Sequence, residues 1–241
     1  MKLMWRGPMR YPLWGVLMLI LMLIPILTVG RLQVDPSPTI ETAEELYQAT
    51  SKAYAGITDL NALITIRRPL LPIESAPEQE IQLRIMMIWG ERVIRVEYIK
   101  PNLLRGQIYT LDGDLFSQYL PLNRTIIRTR LSERELPLDP NLLFELPDPE
   151  GFGLSMDRTE GFFILRAVPK QGSGFEFEEQ RIWISATDLL PRKMVSTIIE
   201  EFRGESRKVA ITTTIDELMI NQGLTKEGLL ALPEDAQIIE G

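Results

Sequence analysis

The side chains able to do chemistry are few in kind. The chain of 241 residues has no histidine and no cysteine. That removes the Ser-His-Asp triad, the thiol nucleophile and any His- or Cys-ligated metal. Carboxylates remain: Asp112 and Asp114 on either side of Gly113, then Glu176, Glu178 and Glu179, then Glu200, Glu201 and Glu205. General acid–base work or glycoside hydrolysis needs two carboxyl groups converging on one bond, and nothing in the spacing pairs these. Asp112-Gly113-Asp114 has oxygen ligands suited to a hard cation, but Asp-Gly between two strand-like runs reads as a tight turn. The glutamates read as strand ends and solvated turns. Arg124, Arg128, Arg130 and Arg134 form one basic cluster, which reads as a solvated strand face ahead of a headgroup or phosphate site. No Gly-rich phosphate loop sits between a strand and a helix. The expectation is no enzyme, no catalytic residue, no metal and no cofactor.

The elements that would position any site are mostly strands. Ile81-Gln82-Leu83-Arg84-Ile85 alternates apolar and polar residues, and Ile94, Val96 and Tyr98 continue the rhythm. Gln107–Leu111, Leu115–Leu120 and Thr125–Leu131 follow, giving five short strands in succession. Before them, Thr42-Ala43-Glu44-Glu45 has the form of a capping box, and Ile40, Ala43, Leu46, Tyr47, Ala53, Tyr54 and Ile57 fall on one helical stripe. Leu60, Ala62, Ile64 and Ile66 alternate as a first strand, and Arg67-Arg68-Pro69 with Pro72 to Pro77 reads as a long loop after it. Further strands are expected at Phe162–Val168, Phe175–Phe177 into Arg181–Ser185, Arg192–Ile199 and Lys208–Ile215. The proline-rich stretch Leu131–Phe152 reads as a loop with at most short helices, carrying Leu142, Leu143 and Phe144 as a lid over the sheet. The fold class expected is α+β: a strongly curved antiparallel sheet of roughly ten or eleven strands, an open half-barrel, with an N-terminal helix and a lid-like segment over its apolar concave face.

Residues 1–30 place that sheet outside the cytoplasm. Lys2, Arg6 and Arg10 precede an uncharged apolar run, Leu13–Val29, of 17 residues. That length lies between a signal-peptide core and a membrane span, and Pro25 tilts the reading toward a cleaved signal over a retained anchor. Residues 31–38 form a linker and residues 39–241 a single domain. Without the three n-region cations the chain carries 23 basic and 33 acidic residues, a net charge of −10. Such a balance argues against nucleic acid and against adsorption to anionic lipid. With no cysteine, no disulfide and no lipid-attachment thiol is available, and the domain stands on its core.

Several motifs then fall in a familiar order. Tyr98-Ile99-Lys100-Pro101, Asp112-Gly113 and Tyr119-Leu120-Pro121 resemble the central signature of the LolA-like periplasmic lipoprotein carriers. Tyr54-Ala55-Gly56-Ile57-Thr58-Asp59-Leu60 resembles that family's helix-to-strand junction. Ile220-Asn221-Gln222-Gly223-Leu224, Leu232-Pro233 and Ile238-Ile239 resemble its end. The resemblance touches most of residues 40–240. It implies a half-barrel around an apolar cavity that holds acyl chains; relatives of the fold include RseB-type stress regulators and mycobacterial lipid-binding lipoproteins. The carriers have a basic residue followed by proline in the turn that fastens the lid. Here that turn reads Trp89-Gly90-Glu91-Arg92, so the role is not transferred to Arg92.

The function expected is that of an exported carrier, monomeric, which sequesters acyl chains of a lipid or acylated protein. It would exchange them with a membrane-bound donor or acceptor, in the periplasm or on the outer face of the cytoplasmic membrane. The alternative is a membrane-anchored sensor of the same fold that binds a membrane-protein segment. The cavity lining expected is Leu60, Ile64, Leu83, Ile85, Met87, Ile94, Val96, Tyr98, Phe116, Phe163 and Trp183. Met86 and Met87 suit an adaptable pocket.

Overall fold

The computed structural model describes residues 40–70, 77–131, 146–171, 177–202 and 204–240. Residues 1–30, expected to direct export, and Leu142, Leu143 and Phe144, expected to form a lid, lie outside these. Among the described residues no helix is long and apolar enough to cross a membrane.

One helix, α1 (Ala43–Ala55), opens the domain on the capping box read from the sequence. Thr42 Oγ1 accepts from the Glu45 amide, and the Glu45 carboxylate accepts from the Thr42 amide at 3.2 Å. Its buried stripe is Leu46, Thr50 and Tyr54, spaced four apart so that all three point one way. Twelve strands follow: β1 (Asp59–Pro69), β2 (Glu78–Ile88), β3 (Val93–Lys100), β4 (Ile108–Asp112), β5 (Leu115–Leu120), β6 (Thr125–Arg130), β7 (Phe152–Thr159), β8 (Phe162–Pro169), β9 (Phe177–Ser185), β10 (Pro191–Phe202), β11 (Glu205–Ile220) and, after a short helix α2 (Lys226–Leu230), β12 (Gln237–Glu240).

All twelve belong to one sheet, in the order β12-β6-β5-β4-β3-β2-β1-β11-β10-β9-β8-β7. Two meanders, β1–β6 and β7–β11, are thus joined where β1 pairs with β11. The sheet does not close: β12 and β7 are its edges. Every pairing is antiparallel except β12 with β6, which makes the sheet mixed. The turns follow the residues that tolerate them. Gly113, at φ 60°, sits in the β4–β5 hairpin, where a left-handed backbone is required.

Two local expectations change. Arg67, Arg68 and Pro69 do not leave the sheet but complete β1, because Arg67 pairs with Glu80 on β2 and Arg68 with Glu200 on β10. Pro69 sits at the strand end opposite Glu78, where a missing amide is tolerated. β7 is a strand where none was read, since the expected loop ran to Phe152 and the next expected strand began at Phe162. Its Phe152, Leu154 and Met156 alternate with Gly153, Ser155 and Asp157, and it forms one edge of the sheet.

The two faces differ. The inner one joins the core of α1 in a single apolar cluster reaching from Leu111 to Leu165. On the outer side, Ile88 and Val93 pack with Leu229 in a second, small cluster that seats α2 behind β2 and β3.

The inner face as a candidate binding surface

Strand register builds the inner face residue by residue, since alternate side chains share a side. Across β1 and β2, Leu60 lies opposite Met87, Ala62 opposite Ile85, Ile64 opposite Leu83 and Ile66 opposite Ile81. The rows continue into β3 as Ile94, Val96 and Tyr98, and into β4 and β5 as Leu111 opposite Phe116. On the other side of β1 they run through Ile215 and Thr213 to Met194, Ile182 and Leu165.

Ten of the eleven residues expected to line a cavity stand on this face: Leu60, Ile64, Leu83, Ile85, Met87, Ile94, Val96, Tyr98, Phe116 and Phe163. Most are buried to within a few per cent, while Phe116 and Phe163 are half-buried. Trp183 is the exception. Its neighbours Ile182 and Ile184 take the inner side, so Trp183 is turned outward, where the Lys193 ammonium lies 4.6 Å from its ring centroid. Three consecutive apolar residues hide the period of two, and only the pairing with β8 and β10 resolves it.

An aromatic group missed from the sequence sits toward the β5 side. Tyr109 makes an edge contact with Tyr98, ring centroids 5.5 Å apart, and stacks on Phe116 at 5.8 Å. Its hydroxyl donates to Gln107 Oε1 at 3.0 Å and accepts from Gln118 Nε2 at 3.1 Å. Burial pushes Tyr98 up to about 12, and pushes Tyr109 up as well. The placement of Tyr109 in step with Leu111 was the available signal. The strands that approach α1 most closely are β7 and β8, at the far edge of the sheet from these rings.

The face is not uniformly apolar. Gln180, Ser196 and Thr213 are buried on β9, β10 and β11, at 4%, 1% and 7% exposure. Gln180 Nε2 donates to Ser196 Oγ at 3.2 Å and to Met194 Sδ at 2.9 Å.

Elsewhere most of the candidate reactive groups are engaged in ion pairs; Glu176 lies outside the described residues. Asp112 accepts from Lys226 at 2.6 Å and Asp114 from Arg130 at 2.9 Å, which accounts for both carboxylates of the hairpin. Glu178 pairs with Lys208, Glu200 with Arg68 and Glu205 with Arg207. Glu179, held by Arg166 and Arg181, is kept below the ordinary carboxylate range chiefly by the Arg166 hydrogen bond. In the basic cluster, Arg124 pairs with Asp235, Arg130 with Asp114, and Arg128 stands 3.9 Å from Glu240. Leu115, Arg128, Arg130 and Glu240 line a shallow polar recess of about 380 Å³ on the outer side of the β6–β12 edge. Arg134 lies outside the described residues.

An open, twelve-stranded half-barrel whose inner face is an apolar sheet joined to one helix is the class of fold these observations define. It is the architecture that the LolA-like resemblance implied. The sequence matches no protein-family description and no curated protein. Among solved structures, an uncharacterized conserved protein from Thermus thermophilus is similar at 21% identity with a TM-score of 0.51, covering 83% of this chain and 99% of that one. That likeness is one of fold. A LolA superfamily protein from Nitrosomonas europaea is 12% identical with a TM-score of 0.39, covering 80% of this chain and 99% of that one. The Mycobacterium tuberculosis lipoprotein LppX is 12% identical with a TM-score of 0.47, covering 76% and 97% respectively.

Proposed function

We propose that this protein is an exported carrier that holds the acyl chains of a lipid or lipid-modified protein against the inner face of its half-barrel. The observation that carries the reading is the continuity of that face: one mainly apolar surface runs over both meanders, interrupted by Gln180, Ser196 and Thr213, in a sheet whose edges stay open. Binding of this kind needs area, not catalysis. Each methylene removed from water contributes about 0.8 kcal/mol, so a chain of about sixteen carbons gains on the order of 10 kcal/mol. Tyr98, Tyr109 and Phe116 supply wide, adaptable contact at the side of the face away from α1. The ion-paired state of the carboxylates supports binding over catalysis.

Native mass spectrometry of protein purified from its own host's envelope tests this, with a lipid extract run alongside. Near-stoichiometric phospholipid or acylated protein is expected. A lipid-free protein that also fails to take up a fluorescent fatty acid refutes the carrier. If that protein retains residues 1–30, the result favours the anchored sensor instead.

A further inference from the structure

Two threonine hydroxyls stand in the core without an acceptor among the described residues. Thr50 Oγ1, on the buried stripe of α1, and Thr213 Oγ1, on the inner face of β11, are both buried and find no hydrogen-bond partner among the described residues. Thr50 is 0% exposed and Thr213 7%. An unsatisfied buried hydroxyl is unfavourable, and valine fits the same space at Thr213 without that cost. Thr213 does not stand alone. It is paired across the strands with Met194, and it is the diagonal neighbour of Ser196, which itself faces Gln180. Three polar side chains therefore form a strip across β9, β10 and β11, inside a wall that is otherwise Ile, Leu, Met and Ala. Thr50 brings a further hydroxyl to the same core from the helix, between Leu46 and Tyr54.

We propose that this strip binds the carbonyl group of an acyl ester, with the Thr213 hydroxyl as the donor. The inference rests on the carrier reading and names its ligand class: the half-barrel takes ester-linked chains in preference to plain hydrocarbon or ether-linked ones. The chemistry is one of matching. A buried hydroxyl that lacks an acceptor is satisfied by a group that accepts and does not donate, which an ester carbonyl does and a methylene does not. Gln180, Ser196 and Met194 are engaged with one another, so of the strip's three polar side chains Thr213 is the one left without a partner among the described residues. The carbonyl would thereby fix how deeply a chain is inserted, leaving the headgroup beyond the wall.

The experiment compares two lipids with the same chains and headgroup, a dioleoyl phosphatidylcholine diester and its diether analogue. Each competes for a fluorescent acyl probe on the full chain. The N-terminal apolar run contributes equally to both lipids, so only the ratio is read. A net hydrogen bond of about 1.4 kcal/mol corresponds to about tenfold tighter binding of the diester. In Thr213→Val the ratio is expected to fall to about one, with thermal melting followed by circular dichroism to show that the variant is folded. Equal binding of both lipids by the unaltered protein overturns the ester-recognising strip and leaves the carrier intact. A diester preference that survives Thr213→Val overturns the role of Thr213. Binding of neither lipid overturns the carrier and this inference with it.

Discussion

Ile182 and Trp183 are adjacent in β9, and the fold assigns them opposite fates, so replacing each by alanine tests the register of the whole second meander. Ile182 is 1% exposed and lies opposite Leu165 and Met194 on the inner face. Ile182→Ala removes about three carbons, worth about 2.4 kcal/mol in transfer alone. The space left behind raises the cost to about 3–4 kcal/mol. Trp183 is the larger residue, and an account based on side-chain size alone would rank it first. On the outer face, however, it is half-buried, and its specific contact is with Lys193. Losing that cation–π contact and part of the covered ring amounts to roughly 1–1.5 kcal/mol. With a urea m-value of about 2.5 kcal/mol per molar for a domain of this size, the midpoints should fall by about 1.4 M and about 0.5 M. Far-UV circular dichroism serves as the probe, since one variant lacks a tryptophan. A larger loss for Trp183→Ala than for Ile182→Ala would mean that β9 is slipped by one residue, which exchanges its faces and refutes the inner wall described above.

Three further outcomes follow from named contacts. Arg95→Met keeps an apolar stem but loses hydrogen bonds to the Leu229 and Ala231 carbonyls and to Glu97, so hydrogen exchange should rise across α2 and the residues after it while β9–β11 stay protected; equal loss everywhere would show one indivisible unit. The Glu80 carboxylate is held below its ordinary range, first by the Lys100 hydrogen bond and then by Arg67. Its contribution to stability is therefore complete above the ordinary carboxylate range and lost as pH falls through the lowered value; Glu80→Gln should show a shallower decline in urea midpoint between neutral and acid pH, and an unchanged slope counts against the pair. Tyr98, pushed up to about 12 by burial, keeps its proton in the folded state, so its contribution is whole below about pH 10 and lost as pH rises toward 12. Tyr98→Phe should flatten that alkaline loss and remove a tyrosinate step near pH 12 from the ultraviolet titration, while the step of Tyr54, which burial raises well above the ordinary tyrosine value, stays.

Much of this was legible because it is local. The capping box at Thr42 and Glu45, the Asp112-Gly113 hairpin and the alternation of Leu83, Ile85 and Met87 are each set by a few neighbouring residues. What could not be read depends on partners far along the chain. Arg67 and Arg68 look like a break until Glu80 and Glu200 arrive beside them. Ile182-Trp183-Ile184 has no visible period, and the run Thr212-Thr213-Thr214 gives no hint of which hydroxyl faces in; Ile211 and Ile215 decide it. The parallel pairing of β12 with β6 joins residues more than a hundred positions apart, and Ile238-Ile239 alone does not announce it.

The same distant contacts divide the half-barrel into unequal parts, and the division bears on function. Behind β2 and β3 the outer face is covered by α2, seated on Ile88 and Val93 and tied by Arg95 to the Leu229 carbonyl at 3.0 Å. That half is clad on both sides, as a stable support requires. Behind β9 to β11 the outer face carries Arg181, Trp183, Lys193, Val195, Ile199 and Lys208, fully or partly open to water, and among the described residues no helix is seated on it. The polar strip of Gln180, Ser196 and Thr213 lies in this singly clad half, and α1 lies nearest to the edge strands beside it. Local opening requires the least loss of buried contact where only one face is packed. If the chain acts as the carrier proposed above, ligand exchange is expected at the β7–β11 side, with the β1–β6 meander holding its shape while it occurs.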